Sequence, residues 1–362
     1  MRRRDFLRLV GEVAGSVSLV RRGAAAEPVR GAARFDVWTW FHDDGARNPA
    51  TWRRRFERLR EAGITGILVE GGNDTARIAT AAKAQGIAFH RWIFTMYRST
   101  DRWAKANHPE WFSVSRTGRS SLTNPPYVPQ YNWFCPNRDG VRSYLRGIVD
   151  RLAARPEVDG IHLDYIRFID VILPRGLWSR YGLVQEHEMA QFDFCYCQVC
   201  REKFRERTGR DPMRLEDPAA DEAWRAFRWD SITELVTLLS DTAHRRGKVI
   251  SAAVFATPTL ARHLVRQAWD RWPLDMVFPM IYHNFYLEDV DWIGRAAREG
   301  VEALGGRVPL YAGLFVPRLD PAALATAVSS SRDAGAAGVA LFSMPRLTDA
   351  HLRALTRVIR AT

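Results

Sequence analysis

Short apolar segments alternate with helical patterns along most of the chain. Eight such segments are found, and most follow a turn that contains glycine, as in EAGI, AQGI and AAGV, where a helix ends and a strand begins. They span residues 35–41, 64–70, 87–94, 160–168, 249–256, 275–283, 308–315 and 338–344. Eight strand–helix units predict an α/β fold, the (β/α)8 or TIM barrel. The alternative, a doubly wound sheet, would need a glycine-rich phosphate turn after the first strand, and the sequence has none there.

Two of the connections are much longer than the others. Residues 97–156 and 169–246 separate the third, fourth and fifth strands, and loops of that length in a compact domain are usually functional or disordered. Their aromatic content favours order, and we predict long aromatic-rich loops after strands 3 and 4 that cap the barrel. Flat rings at a barrel mouth suit stacking on sugar faces, although any one ring can instead pack beneath its loop. The aromatic residues are Trp103, Trp111, Phe112, Tyr127, Tyr131, Trp133, Trp178, Tyr181, Phe192 and Phe194.

The first 26 residues have the composition of an export signal. Residues 3–8 (RRDFLR) fit the twin-arginine pattern, an apolar stretch runs over 9–20, and alanines at 24–26 offer a cleavage site. The alternative is a basic amphipathic helix that belongs to the fold. We predict a twin-arginine signal peptide at 1–26, a single domain at 27–362, the export machinery as a partner, and a periplasmic or extracellular product. No other stretch reaches the about 18 apolar residues of a membrane span, so no stable membrane insertion is expected after cleavage.

The charge balance is strongly basic, and almost all of the basic residues are arginines. The formal net charge of +12 falls to +8 without residues 1–26. The 49 arginines outnumber the four lysines and are scattered along the chain, so the composition indicates a solvated surface and no nucleic-acid partner. Attraction to an anionic glycan or cell-wall polymer stays open.

The segment 160–168, GIHLDYIRF, contains the strongest candidate for chemistry. It starts with apolar residues and then presents the acid Asp164, as a barrel strand does when it places a catalytic group at its C-terminal end. The strand period of two puts His162 beside Asp164 on one side, with Tyr165 and Arg167 on the other. The alternative is that Asp164 forms an internal ion pair with an arginine such as Arg167 and has no chemical role.

Three segments resemble a known family. GIHLDYIRF resembles the fourth-strand signature of the family-10-like hypothetical glycosyl hydrolases, and residues 132–137 (NWFCPN) with 141–145 (VRSYL) resemble the segment before that strand. Residues 195–200 (CYCQVC) resemble a cysteine-rich loop of some relatives. The similarity spans about residues 34–345. It implies a secreted barrel that acts on a polysaccharide or peptidoglycan-like glycan, with Asp164 as the nucleophile or electrostatic stabiliser.

Glycoside hydrolysis ordinarily uses two carboxyl groups, and the second is less obvious than Asp164. Glu70 ends the second strand beside two glycines, and a strand end fixes geometry better than a loop does. We therefore predict Asp164 and Glu70 as the catalytic pair. Glu288 is the next choice, because it follows the sixth strand, where some related barrels place the acid. The other acids near strand ends or in the loop after strand 4 are Asp43, Asp44, Glu186, Glu188, Asp193 and Asp289.

Several polar and aromatic side chains near the predicted strand ends are candidates for binding substrate. Histidine can hydrogen-bond a sugar hydroxyl or hold a carboxylate, although it can equally be a satisfied core residue. No HxH or HExxH spacing is present, so no metal or other cofactor is expected for catalysis. The predicted substrate-binding residues are His42, His90, Trp92, Trp133, His162, Arg167, Tyr282 and His283.

The four cysteines of the chain form a separate candidate site. Cys195, Cys197 and Cys200 have CxCxxC spacing, and Cys135 lies in the other long loop. Together they could make a four-thiolate structural zinc site that joins the two loops. An oxidising destination also permits a disulfide from Cys135 to one of the other three, and free thiols are the third possibility. None of these outcomes gives the cysteines a catalytic role.

These features predict an exported glycoside hydrolase that cleaves a polysaccharide or cell-wall-type glycan with a carboxylate pair that includes Asp164. Two alternatives stay open. A non-catalytic carbohydrate-binding barrel would keep the cleft without a competent pair of acids, and a hydrolase or lyase of another class would share only the fold. Two carboxyl groups that face each other across the mouth would distinguish a glycoside hydrolase from the carbohydrate-binding barrel. Aromatic rings that flank these carboxyl groups would distinguish it from a hydrolase or lyase of another class.

Overall fold

Eight parallel strands close into a barrel in the computed structural model, in the order β1 to β8 with β8 paired to β1. The structure describes residues 35–46, 48–71 and 75–361, so the predicted signal peptide at 1–26 lies outside the described residues. The strands are β1 Asp36–His42, β2 Gly66–Glu70, β3 Ala88–Phe94, β4 Gly160–Asp164, β5 Val249–Phe255, β6 Met276–Met280, β7 Tyr311–Phe315 and β8 Gly338–Phe342. The predicted (β/α)8 barrel is confirmed.

Helices connect the strands of the barrel. Several begin after a residue whose side chain accepts a hydrogen bond from the first turn, as Asn48, Asp221, Thr257 and Asp320 do, and this satisfies backbone N–H groups that a helix leaves unpaired. The helices of the described residues are α1 Pro49–Glu61, α2 Ala76–Lys83, α3 Arg102–Asn107, α4 Asp139–Ala153, α5 Trp178–Tyr181, α6 Gln198–Thr208, α7 Glu222–His244, α8 Pro258–Val265, α9 Trp292–Leu304, α10 Pro321–Asp333 and α11 Asp349–Arg360. None of these helices combines the length and the apolar character that crossing a membrane requires.

The two long loops contact each other beyond the C-terminal ends of the strands. They span residues 95–138, before α4, and 165–221, before α7. Isolated antiparallel bridges join Phe112 to Phe134 within the first loop and Ser115 to Phe194 between the loops. Their buried aromatic side chains include Trp111, Phe112, Trp133, Phe134, Phe192 and Phe194. The two loops therefore bury apolar side chains that continue the hydrophobic core around the barrel.

The fourth and sixth strands end earlier than the sequence pattern predicts. Strand β4 stops at Asp164 because Tyr165 adopts a φ of 53°, a left-handed conformation that no longer fits a strand. Strand β6 stops at Met280, and the chain turns into a short 3₁₀ helix that begins at His283. Asp164 is therefore the last residue of its strand, and the residues that follow it belong to the loop.

Large rings fill the barrel interior next to glycines on neighbouring strands. A Cβ atom at Gly160 would lie 2.5 Å from His90 Nε2, and one at Gly66 would lie 2.4 Å from the Trp38 ring. The pairs in register are Trp38 with Gly66, His90 with Gly160, and Tyr311 with Gly338. Because each of these rings lies beside a glycine of the neighbouring strand, this part of the barrel interior can pack at the density of a protein core.

Replacing Gly160 by alanine should destabilise the fold, because the added methyl group would overlap the His90 ring inside a filled barrel. We expect the free energy of unfolding, measured by urea titration, to fall by about 1–3 kcal/mol. Gly147→Ala is the matched control. Gly147 lies within α4, where a Cβ atom meets the flexible end of Arg151 at 3.4 Å, and alanine is favoured over glycine in a helix by up to about 1 kcal/mol. Equal stability of the two variants would contradict this account of the interior.

Candidate active site

A cavity of about 340 Å³ opens at the C-terminal ends of the strands, where α/β barrels perform their chemistry. Inward-facing strand residues such as Trp40 and Trp92 line it together with side chains of the loop after β4. The carboxyl groups in the lining are those of Asp164 and Asp170. The aromatic lining consists of Trp40, Trp92, Phe94, Tyr131, Tyr165, Tyr181, Phe255, Tyr282, Phe285, Tyr286, Phe315 and Phe342.

Asp164 is held at the end of β4 by hydrogen bonds to both of its carboxyl oxygens. Trp92 Nε1 donates to Oδ2 over 3.0 Å, and the backbone N–H of Tyr165 donates to Oδ1 over 2.6 Å. The backbone oxygen of Asp164 accepts from the N–H and the hydroxyl of Thr95 at 2.9 and 2.7 Å. Because only 7% of the residue is exposed, its carboxyl group has a fixed position in the cavity wall.

Burial changes the acidity of Asp164. Removal from water disfavours the charged form and raises the pKa of Asp164 to about 6, although hydrogen bonds from Tyr165 and Trp92 and the positive charge of Arg167 oppose the shift. A carboxyl group that titrates near neutrality can serve as a proton donor. This property fits a general acid better than the nucleophile or stabiliser that the family resemblance implies.

A second carboxyl group, that of Asp170, reaches the same cavity but is bound within its wall. Arg167 Nη1 donates to Asp170 Oδ2 over 2.9 Å, and the Tyr131 hydroxyl donates to the same oxygen. The alternative in which Asp164 pairs with Arg167 is therefore wrong, since Arg167 forms its ion pair with Asp170. Sequence reasoning missed Asp170, because it lies in a loop and no strand pattern marks its position.

The turn after β4 explains why Arg167 reaches the cavity. In a continuous strand, Tyr165 and Arg167 would face away from Asp164, as the sequence predicts. The left-handed conformation of Tyr165 ends the strand, and both side chains then join the cavity lining. That part of the prediction is wrong, while the placement of Arg167 in the binding site agrees with the cavity.

Glu70 lies outside the cavity lining and contacts one of the lining residues, His42. The two residues are in register on β1 and β2, and His42 Nδ1 lies 2.8 Å from Glu70 Oε2. Their side chains are 54% and 34% exposed. The His42 ring lines the cavity with its centroid 4.7 Å from that of Trp92, whereas Glu70 is not part of the lining. The predicted pair of Asp164 and Glu70 therefore does not face each other within this cavity.

Two of the predicted substrate-binding histidines lie below the cavity, inside the barrel. His162 is fully buried, accepts a hydrogen bond from Trp40 Nε1 at 3.0 Å and contacts Ser251 Oγ at 2.9 Å. His90 is 2% exposed, and burial lowers its pKa to about 4. Their assignment as substrate-binding residues is wrong, because the strand period fixes the side on which a residue lies but not its depth.

Trp133 and His283 also lie outside the cavity lining. Trp133 is fully buried, its Nε1 donates to the Arg167 carbonyl over 2.8 Å, and the Arg167 guanidinium lies 4.8 Å from its ring centroid. It therefore supports Arg167 and does not reach the cavity. His283 begins the turn after β6 and is buried. The predicted residues that do line the cavity are His42, Trp92, Asp164, Arg167 and Tyr282.

The remaining acids considered from the sequence have other positions. Asp193 pairs with the buried Arg228 at 2.5 Å, and Glu188 pairs with the buried Arg266. Glu288 lies 3.8 Å from Arg295 and lines a different groove. The acids outside the cavity lining are Asp43, Asp44, Glu186, Glu188, Asp193, Glu288 and Asp289.

The structure brings the four cysteines together, apart from the cavity. All four are buried, and their sulfur atoms lie within 4.8 Å of one another. None of them is in the cavity lining. The cluster joins the two long loops, as the sequence predicts, and is separate from the candidate chemistry at Asp164.

Solved structures that share this architecture include glycoside hydrolase domains. The glycoside hydrolase domain of PgaB (BpsB) from Bordetella bronchiseptica matches with a TM-score of 0.65 at 14% identity, over 90% of this chain and 99% of that one. The catalytic domain of β-amylase from Paenibacillus polymyxa gives 0.63 at 11% identity, over 91% and 99%. The GH36 α-galactosidase AgaA from Geobacillus stearothermophilus gives 0.51 at 10% identity, over 91% of this chain and 42% of that one.

These likenesses show a TIM barrel of the kind that glycoside hydrolases use. At 10–14% identity they establish the fold alone. No family model matches the sequence, and no curated protein matches it either. The resemblance to the family-10-like hypothetical glycosyl hydrolases therefore stays a prediction.

The raised pKa of Asp164 should make the stability of the fold depend on pH. The pKa rises from 3.8 to about 6 on folding, so the fold binds this proton more tightly than the unfolded chain does. Its contribution is present below pH 4 and is lost as the pH rises through about 6. Relative to Asp164→Asn, which cannot ionise, the wild-type free energy of unfolding should fall by about 2–3 kcal/mol between pH 4 and 8.

Urea titrations of the two proteins across this pH range measure the difference. Asp150→Asn is the control, because the hydrogen bond from Arg246 lowers the pKa of Asp150 on the surface. That carboxylate is ionised in both states over most of the range, so the control should show no such fall. If the free energies of unfolding of the wild-type protein and of Asp164→Asn differ by a constant amount from pH 4 to 8, the raised pKa of Asp164 is contradicted.

Proposed function

We propose that this protein is an exported glycoside hydrolase that cleaves a polysaccharide or cell-wall-type glycan, with Asp164 as its general acid. One observation supports the proposal above all. A buried carboxyl group with a pKa of about 6 ends β4 inside a cavity walled by aromatic rings. The C–H faces of a pyranose pack well on such rings. The fold that the chain shares with glycoside hydrolase domains is consistent with this reaction class.

In the proposed reaction, Asp164 donates its proton to the oxygen of the leaving sugar as the glycosidic C–O bond breaks. Before this step, burial favours the neutral carboxyl group. After it, the hydrogen bonds from Trp92 and from the Tyr165 N–H stabilise the carboxylate. The surroundings of Asp164 thus accommodate both protonation states, as a group that releases and regains a proton in each cycle requires.

We assign the role of general base, the group that takes a proton from the attacking water, to His42, and Glu70 orients its ring. His42 lines the cavity, and Glu70 Oε2 contacts its Nδ1 at 2.8 Å, so the other ring nitrogen, Nε2, is the one that can accept a proton from water. The water oxygen then bonds to the anomeric carbon and its proton passes to His42, while Asp164 supplies the proton that the leaving sugar gains. Glu70 is a positioning residue, which holds the ring and stabilises the imidazolium.

A second groove, of about 750 Å³, adjoins the cavity and suits a polymeric substrate. The cavity and the groove share Leu173, Pro174 and Tyr286 in their linings. Trp178 and Trp292 also line the groove, and the Trp292 ring centroid lies 5.2 Å from that of Tyr286. Sugar units on either side of the scissile bond could therefore continue along aromatic surfaces beyond the cavity.

The proposed reaction needs only water and side chains of this chain, and a metal at the four cysteines would be structural. Export by the twin-arginine route and action in the periplasm or outside the cell are proposed from residues 1–26 alone. An anionic cell-wall polymer would also suit the formal net charge of +8 that remains without these residues.

Asp164→Asn should strongly reduce hydrolysis while the protein stays folded. We expect reducing-end release from a panel of bacterial glycans to fall by about 10³-fold, since general acid catalysis contributes about 10²–10⁴-fold. In the wild-type protein, kcat/KM should fall tenfold for each pH unit above about 6, because Asp164 then loses the proton it must donate. Release by the variant at the wild-type rate would show that another group is the acid.

Glu70→Gln and Asp170→Asn test which group takes the proton from water: His42, positioned by Glu70, or Asp170. Glu70→Gln removes the charge that stabilises the His42 imidazolium, so we expect kcat to fall by about 10- to 100-fold with little change in KM. A purely structural role for Glu70 would not confine the loss to kcat and leave KM unchanged. If Glu70→Gln keeps full turnover while a folded Asp170→Asn loses it, the role belongs to Asp170.

Trp292→Ala should weaken hydrolysis of long glycans more than that of short ones. Loss of one aromatic contact costs about 0.5–1.5 kcal/mol, so kcat/KM for a long oligosaccharide should fall by about 2- to 10-fold. A substrate that fills only the cavity should be unaffected. Trp103→Ala, at an exposed tryptophan of α3 that stacks on Tyr144, is the matched control. An equal loss on short and long substrates would exclude the groove as a glycan site.

The rival function is a non-catalytic carbohydrate-binding barrel. It is favoured by one observation: the carboxylate of Asp170 is already paired with Arg167 and Tyr131, so the cavity holds a single unpaired acid, Asp164. Tight glycan binding by both the wild-type protein and Asp164→Asn, without reducing-end release by either, would establish this rival.

A further inference from the structure

The four cysteines form a compact cluster at the junction of the two long loops. Cys135 comes from the loop after β3, Cys195 and Cys197 from the loop after β4, and Cys200 from the first turn of α6. Their sulfur atoms lie within 4.8 Å of one another, with Cys135 Sγ 3.4 Å from Cys200 Sγ and 3.6 Å from Cys197 Sγ. Each cysteine therefore offers its sulfur to one shared space.

These distances fit the ligands of a single tetrahedral ion. Zinc binds four thiolates at about 2.3 Å, which separates the sulfur atoms by about 3.8 Å in a tetrahedron. A disulfide joins only two of the sulfurs and leaves the positions of the other two unexplained. An iron–sulfur cluster places its own iron and sulfide atoms between the ligands, so it needs the four sulfurs further apart. One ion accounts for all four positions.

Hydrogen-bond donors surround the cluster, as a negatively charged metal site requires. The backbone N–H of Val114 donates to Cys195 Sγ over 3.3 Å, and Asn137 Nδ2 donates to Cys200 Sγ over 3.3 Å. Lys203 donates to the Asn137 carbonyl over 2.8 Å and so holds this residue in place. The cluster also lies at the N-terminal end of α6, where the helix dipole is positive. Outer partners of this kind stabilise thiolates and orient them toward a metal.

We propose that Cys135, Cys195, Cys197 and Cys200 bind one Zn²⁺ ion as a structural site. Four Zn–S bonds replace the four S–H bonds, the displaced protons pass to solvent, and nothing is oxidised or reduced. Four protein ligands leave no open position for a substrate or a reactive water. The site is therefore independent of the reaction proposed at Asp164.

The ion fixes a part of the cap that supports the cavity wall. Cys135 lies two residues after Trp133, and Trp133 Nε1 donates to the Arg167 carbonyl over 2.8 Å. Arg167 in turn pairs with Asp170 in the cavity lining. The zinc site thus stabilises the wall from outside, through the loop after β3.

The first test measures metal content and free thiols in one preparation of the full chain, purified without chelator or added reductant. We expect one zinc ion per chain by elemental analysis and four thiols per chain after denaturation, because zinc-bound cysteines stay reduced. Fewer thiols without zinc would indicate a disulfide, four thiols without metal would indicate free cysteines, and iron would indicate a different ion. Each of these three results overturns the proposal.

A second test follows the metal without reference to activity. Removing zinc with a chelator should lower the midpoint of thermal unfolding by about 10 °C or more. Adding Co²⁺ to the metal-free chain should give the intense visible absorption of a tetrahedral cobalt thiolate site. A chelator that strips the zinc and leaves the midpoint unchanged would contradict the structural role.

Cys135→Ser should lose both the zinc and the cobalt absorption. Ser331→Ala is the matched control, since Ser331 is an equally buried small side chain in α10 that the cluster does not include, and it should keep one zinc per chain. If Cys135→Ser does not fold, the zinc and thiol measurements on the wild-type chain decide whether the four cysteines bind zinc. A folded Cys135→Ser chain that retains one tightly bound zinc with unchanged cobalt absorption would refute the four-cysteine site.

Discussion

The packing of rings against glycines inside the barrel is the constraint on which the candidate site depends. An eight-stranded barrel has room for side chains but not for a channel, and rings such as His90 use the space that Gly160 leaves open. Trp40 and Trp92 occupy the next positions along their strands, within the same interior cluster. The cavity therefore begins at Trp40 and Trp92, which form part of its lining, and Asp164 lines it as the last residue of β4.

The surroundings of Asp164 also determine its acidity. Burial removes the carboxyl group from water, and the Trp92 indole donates a hydrogen bond to the carboxylate. These two effects have opposite signs, and burial is the larger, so the pKa of Asp164 rises to about 6. At neutral pH an ionised carboxyl group in this position lowers the stability of the fold. A buried group that lowers the stability of the fold is a common mark of a functional site.

The sequence was sufficient to predict the barrel and the position of Asp164, because both follow from local patterns. Apolar segments separated by helical stretches indicate the strands, and a carboxyl group at a strand end indicates a place at the mouth. The same reasoning failed for His90 and His162, which share the inward side with Asp164 but lie deeper. A period of two gives the side of a strand, whereas depth depends on the stagger between neighbouring strands, which no single segment contains.

The rest of the cavity wall could not be predicted, because it is built from contacts between distant segments. The Tyr131 hydroxyl meets Asp170 from 39 residues away, and Trp133 meets the Arg167 carbonyl from 34 residues away. Both contacts depend on the turn at Tyr165 and join one long loop to the other. The barrel can therefore place Asp164 by itself, but the wall that faces Asp164 exists only when the cap is assembled, and a metal site joining the two loops would act on that assembly.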